Sequence, residues 1–97
     1  MNTINTIDLA SKINHSLPEK LSIIFNCLFP ELSDKEIECL FWICNGHSYS
    51  IAADKMGITE RTIKFHSSNC MKKLTAYNNY DLRMIYHSRL LAYLLLK

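Results

Sequence analysis

The segment Leu32–Asn45, LSDKEIECLFWICN, limits the fold more than any other, because a helix drawn through it is apolar nearly all round. At 100° per residue Ile37, Leu40, Phe41 and Cys44 line one face, and Cys39, Trp42 and Ile43 lie across from them. Such a helix cannot rest on a surface; it has to run through a bundle with other helices around it. Ser33 and Glu36, in Ser-x-x-Glu spacing, predict a capping box at its start, and Gly46 is the expected cap at its end. Residues 1–28 are the expected cover for its second face. Ile7, Ala10, Ile13 and Leu17 make one helical stripe that stops before Pro18. Leu21, Ile24, Phe25 and Leu28 make another, which Pro18 can open and Pro30 closes. Trp42 is assigned to the core, with a protein interface as the alternative.

A chain of 97 residues with two Gly and two Pro, 48 % of it hydrophobic, is one small ordered domain, and the helical periodicities make it all-α. The start, MNTINTIDLASK, has no basic and apolar run of the signal-peptide kind, and LLAYLLLK is far shorter than a membrane span. Cys27, Cys39, Cys44 and Cys70 form no CxxC pair and have no His at metal-ligand spacing, so they read as buried thiols in a reducing cytoplasm, with no metal and no cofactor. No nucleophile–base or carboxylate pair stands at a spacing that suggests catalysis, and an enzyme is not expected. His15, His47, His66 and His87 are scattered.

The net charge of +2 hides an asymmetry: residues 1–54 carry three Lys/Arg against seven Asp/Glu, residues 55–97 eight against two. A basic second half points to a polyanion. Within it, Ser48 is placed to cap a short helix over Tyr49–Met56, Gly57 stops that helix, and Thr59 caps the next. In that next helix, ending at Leu74, Ile63, Ser67, Cys70 and Leu74 fall on one side. Arg61, Phe65, Ser68 and Lys72 fall on the other, flanked by Lys64 and Asn69. An apolar back and a cationic, donor-rich front suit a helix that enters a DNA major groove; a solvated surface helix is the bland alternative. Helix, short Gly-containing turn, helix is the helix-turn-helix pattern. Asn78 and Asn79 mark a turn before a last helix from about Asp81, richer in apolar residues than one buried stripe requires. Either it self-associates or the N-terminal helices bury it.

The runs LSDKEIECLFW, GHSYSIAA and GITERTIKFHSSNCMKKL together resemble the LuxR-type helix-turn-helix, as found in the C-terminal DNA-binding domains of quorum-sensing regulators. The likeness extends without a gap from Leu32 to about Leu90. Glu36, Leu40, Gly46, Ser48, Ala53, Ile58, Thr62, Lys64, His66, Asn69, Lys73 and Leu74 fall in register with the family pattern. Departures are Asn79 where the family often has Arg, Ala52 for a larger aliphatic, Tyr49–Ile51 for a polar set, and Phe65 at a base-contact position.

The resemblance implies a tetrahelical bundle over residues 32–97, with residues 1–31 as an extension of one or two helices packing on the core or a dimer interface. It implies a bacterial, sequence-specific transcriptional regulator that binds double-stranded DNA with helix 60–74 in the major groove, as a homodimer through the last helix. Lys64, Phe65 and Ser68 would meet bases; Thr59, Arg61, Thr62, Lys72 and Lys73 would hold phosphates, helped by Ser48 and Tyr49; Asn69 is divided between DNA contact and surface, and His66 between core packing and DNA. Leu82, Ile85, Tyr86, Arg89, Leu90 and Tyr93 would form the dimer interface. RNA polymerase or another transcription factor is a further expected partner. Thirty-one residues are too few to enclose a small-molecule sensing domain, so none is expected. The alternative function is a small modulator that binds another transcription factor and inhibits or assists it.

Overall fold

The computed structural model describes residues 17–97, as five helices: α1 Glu19–Leu28, α2 Asp34–Cys44, α3 Tyr49–Met56, α4 Glu60–Lys73 and α5 Asn79–Leu96. The expected stripe of Ile7, Ala10 and Ile13, and His15, lie outside the described residues. Each of the last four helices is opened by the side chain of a Ser, Thr or Asn that accepts an otherwise unpaired amide: Ser33 from Glu36, Ser48 from Ile51, Thr59 from Thr62 and Asn78 from Asp81. At α2 the Glu36 carboxylate answers the Ser33 N–H at 2.8 Å, which completes the capping box.

Three helices end in the same way. After α2, the His47 N–H reaches the Trp42 carbonyl at 3.2 Å and Gly46 sits at φ +92°; after α3, the Ile58 N–H reaches Ala53 at 3.0 Å and Gly57 sits at +68°. After α4 the Ala76 N–H reaches Met71 at 2.8 Å, but the left-handed residue there is Thr75, at φ +58°. These are Schellman closures, which need one left-handed residue, and only glycine takes that shape without steric cost. At α2 the capping residue is Asn45, and the expected Gly46 follows it.

α2 runs through the middle, as its pattern demands. Ile37, Cys39, Leu40, Trp42, Ile43 and Cys44 are all buried, and all four other helices touch it. The second face was expected to lie under residues 1–28, but its Cys39 and Trp42 meet Ile63 of α4 and Lys55 of α3, while Phe25 of α1 packs on Phe41 of the first face. On one side Phe25 of α1, Phe29 just past its end, Phe41 of α2 and Tyr86 of α5 form an aromatic cluster, with Phe29 and Tyr86 stacked at 5.9 Å. Toward α4, the Cys39 thiol faces the Ile63 carbonyl and the Cys70 thiol faces the Glu36 carbonyl. Trp42 is a core residue, edge-on to His47 and covered by the Lys55 ammonium. Arg89 of α5 ties the bundle shut: it grips both oxygens of Glu31 at 2.8 Å, donates to the Leu28 carbonyl and lies over the Phe29 ring.

The expectation that all four thiols are buried holds for Cys39, Cys44 and Cys70 and fails for Cys27, which is exposed. α1 turns Phe25 and Phe29 inward, and Cys27, two residues from each, faces away. Burial pushes the Cys39 and Cys44 thiols up to about 12 and the Cys70 thiol higher still, so these three are unreactive packing groups.

Candidate nucleic-acid interface

α4 is held from behind by a row that matches the periodic expectation residue for residue. Ile63 and Cys70 are fully buried, Ser67 is 1 % exposed and Leu74 7 %. The small Ser67 and Cys70 let α4 sit close on α2. The opposite row, Arg61, Lys64, Phe65 and Lys72, is exposed, with Ser68 and Asn69 half-buried along its edge. Phe65 is 62 % exposed, a large cost in water for an apolar ring at the centre of a polar face. Arg61, Lys64 and Lys72 form no ion pair with any described residue, so their charges project outward unneutralised. His66 is half-buried, its ring 5.8 Å from that of Phe65.

The two ends of this row differ. At its start the Thr59 hydroxyl caps the Thr62 amide and lies 2.9 Å from the Thr62 hydroxyl, a tight N-terminal turn. Ser48, exposed at the start of α3, does the same for Ile51. At the far end Lys73, expected to hold a phosphate, instead reaches both oxygens of Glu36, at 2.8 and 3.1 Å. Burial pushes the Glu36 carboxyl up, but the hydrogen bonds from Lys73 and the Ser33 amide outweigh it, and the group sits below its ordinary value. The capping box of α2 and the last turn of α4 thus share one carboxylate, which fixes where α4 ends. No periodicity could have revealed a pair 37 residues apart.

Tyr49 also differs from expectation. Its ring packs on the core, and its hydroxyl accepts from the Asn79 amide at 3.0 Å and lies 3.4 Å from the Ser67 hydroxyl. It is half-buried, with its hydroxyl engaged by Asn79 and Ser67.

α5 reverses its expected polarity. Leu82 and Tyr86, expected at a dimer interface, are buried in the chain's own core; Ile85 and Leu90 pack against it, Tyr93 is half-buried, and Arg89 is bound to Glu31. The Arg89 guanidinium holds the Glu31 carboxyl down at about 2. The outward stripe is Tyr80, Met84, Leu91 and Leu95, from 50 to 74 % exposed. Both faces of α5 are apolar, so its sequence pattern alone left the choice open.

Among the described residues no cluster of three or more His, Cys, Asp or Glu is arranged to hold a metal, and no helix is long and apolar enough to cross a membrane. What the surface offers is a row of outward cations and donors on a rigid helix, matched in chemistry to a phosphate backbone and base edges.

Residues 30–86 match the family described as bacterial regulatory proteins, luxR family. The transcriptional activator protein VanR of Vibrio anguillarum is 45 % identical over 50 residues, covering 52 % of this chain and 21 % of the relative. AhyR of Aeromonas hydrophila, also a transcriptional activator protein, is 41 % identical over 50 residues, 52 % of this chain and 19 % of the relative. The transcriptional activator protein LuxR of Aliivibrio fischeri is 37 % identical over 59 residues, 61 % of this chain and 24 % of the relative. The chain thus spans less than a quarter of the length of these relatives. No solved structure matches it.

Proposed function

The chain belongs to the luxR family of bacterial regulatory proteins and carries the helix-turn-helix domain of DNA-binding transcription regulators, and we propose that it reads specific DNA sequences with α4 in the major groove. One observation carries this reading: the outward row Arg61–Lys64–Phe65–Lys72, with Ser68 half-buried at its edge, is presented to solvent while Ile63, Ser67, Cys70 and Leu74 behind it are buried. In this role Lys64 donates to guanine O6/N7 or a flanking phosphate, Phe65 meets a thymine methyl, and Ser68 reads a base edge directly or through water. Thr59, Arg61, Thr62 and Lys72, with Ser48 at the start of α3, hold phosphates and set the register. Asn69 lies at the edge of the same face, and Lys73 contributes by closing the last turn on Glu36.

The working unit is a homodimer in the cytoplasm, reading half-sites about one helical turn apart, ~34–36 Å. The outward stripe of α5 supports pairing of copies. In an antiparallel arrangement about a twofold between residues 87 and 88, Tyr80 meets Leu95 of the second copy and Met84 meets its Leu91, a self-complementary contact. The chain's similarity to transcriptional activator proteins favours activation as the outcome of binding, with RNA polymerase or another transcription factor bound beside the site as the partner.

Binding of the purified chain to random-sequence and genomic fragments across a salt series, with Lys64→Ala alongside, tests the reading. Site selection by the wild type, steep salt dependence and a Lys64→Ala protein that loses selectivity support it. Only weak, sequence-blind binding refutes it. The apolar stripe of α5 would then mark the second reading, a modulator that works by pairing with another transcription factor.

A further inference from the structure

We infer that Tyr49, Ser67 and Asn79 form a three-helix clamp that sets how α4 is presented to DNA, and that Tyr49 acts by positioning α4 rather than by touching phosphate. The inference rests on the DNA-binding reading of α4 and deepens it.

The three residues come from three elements. Tyr49 is the first residue of α3, Ser67 lies in the middle of the buried face of α4, and Asn79 is the first residue of α5. The Asn79 side-chain amide donates to the Tyr49 hydroxyl at 3.0 Å, and its carbonyl oxygen lies 3.4 Å from the same hydroxyl. The Tyr49 hydroxyl faces the Ser67 hydroxyl at 3.4 Å. A phenol has one proton to give and can accept in return. The consistent chain runs from the Asn79 N–H to the Tyr49 oxygen and from the Tyr49 O–H to the Ser67 oxygen.

Ser67 is only 1 % exposed, so a partner for its hydroxyl has to come from within the protein, and Tyr49 supplies one across the α3–α4 crossing. The consequence is geometric. Ser67 lies one helical turn from both Ile63 and Cys70 on the inward row, and Lys64 and Ser68 stand one turn apart on the outward row. A roll of α4 that broke the Tyr49–Ser67 contact would carry Lys64, Phe65 and Ser68 off their line relative to the cap of α3 at Ser48. Apolar packing at Ile63 and Leu74 resists such a roll, but the small Ser67 and Cys70 between them add little to that resistance. The Tyr49–Ser67 contact, long at 3.4 Å but directional, adds a preferred angle to that packing. Because Asn79 is the first residue of α5, the clamp also ties the angle of the reading helix to the helix that carries the outward apolar stripe.

The test compares wild type, Tyr49→Phe, Asn79→Ala and the double variant, each binding its selected site and a random-sequence duplex. Tyr49→Phe keeps the ring and its packing, and thermal melts report whether each variant folds. A positioning clamp predicts that the ratio of selected-site to random-sequence affinity falls roughly three- to tenfold in either single variant. It predicts that the double variant falls no further than Tyr49→Phe alone, since that change already removes both contacts of the hydroxyl and Asn79→Ala removes one of them. Equal weakening on both duplexes would identify a phosphate contact and overturn the clamp. So would losses that multiply in the double variant, or a ratio that does not change. A wild type that selects no site refutes the DNA-binding reading itself, and is told apart from failure of the clamp by the wild-type lane alone.

Discussion

Lys73→Met should destabilise the protein by about 2 kcal/mol at neutral pH, because it strands the Glu36 carboxylate. That carboxylate is 6 % exposed as a side chain and takes hydrogen bonds from Lys73 at 2.8 and 3.1 Å and from the Ser33 amide at 2.8 Å. Breaking a fully buried ion pair costs about 3–5 kcal/mol, and breaking an exposed one costs about 0–1. The Lys73 side chain is 45 % exposed, so solvent screens its half of the pair and the expected loss falls between those limits. Glu36 keeps its capping bond, which prevents the upper value. For a domain of this size the melting temperature should fall by roughly 8–16 °C.

The sign of the pH dependence follows from the depressed Glu36 carboxyl. Its contribution is fully present above the ordinary carboxylate value of 4.5 and is lost as pH falls through the lower folded value. The gap between wild type and variant should therefore be widest near neutrality and shrink under acid. Urea unfolding followed by the fluorescence of Trp42, itself 1 % exposed, measures it. In a Glu36→Gln background the same Lys73→Met change should cost little, since the charge it served is gone. A gap below about 0.5 kcal/mol at neutral pH, or one that stays constant from about pH 7 to pH 3.5, refutes the reasoning, since surface substitutions with no buried partner fall in that range.

Three further outcomes are expected. Thr75 is held at φ +58° where the ends of α2 and α3 use glycine; Thr75→Gly should raise stability by about 1 kcal/mol in the same urea assay, and a loss would show that its side chain earns more contact than the strain costs. Ile63→Ala and Phe65→Ala, two residues apart on α4, should behave oppositely: the first, fully buried, loses about 3 kcal/mol or more, while the second, 62 % exposed, changes stability by under about 0.5 kcal/mol yet alters which DNA is selected. Thiol titration with a colorimetric disulfide reagent should find Cys27 reacting at once in native protein and Cys39, Cys44 and Cys70 only after denaturant, because burial both hides those three and keeps them protonated.

What could be read directly from the chain was whatever depends on neighbours three or four residues away. The caps Ser33, Ser48 and Thr59, the stop at Gly57, the extent of α3 and the division of α4 into a buried row and an outward row all follow from local hydrogen bonding and a strong 3.6-residue period. The central place of α2 followed too, since a helix apolar on both sides has nowhere else to go. Tertiary structure decided the rest. α5 is apolar on opposite faces, so periodicity could not choose between Leu82–Tyr86 and Met84–Leu91; the aromatic ring cluster with Phe25 and Phe29 made the choice. Lys73, Arg89 and Tyr49 looked available for DNA or a second subunit, and each is bound to a group 30 or more residues away: Glu36, Glu31 and Asn79. Such pairs leave no periodic trace in a sequence, because the distance that matters exists only once the helices have closed around α2.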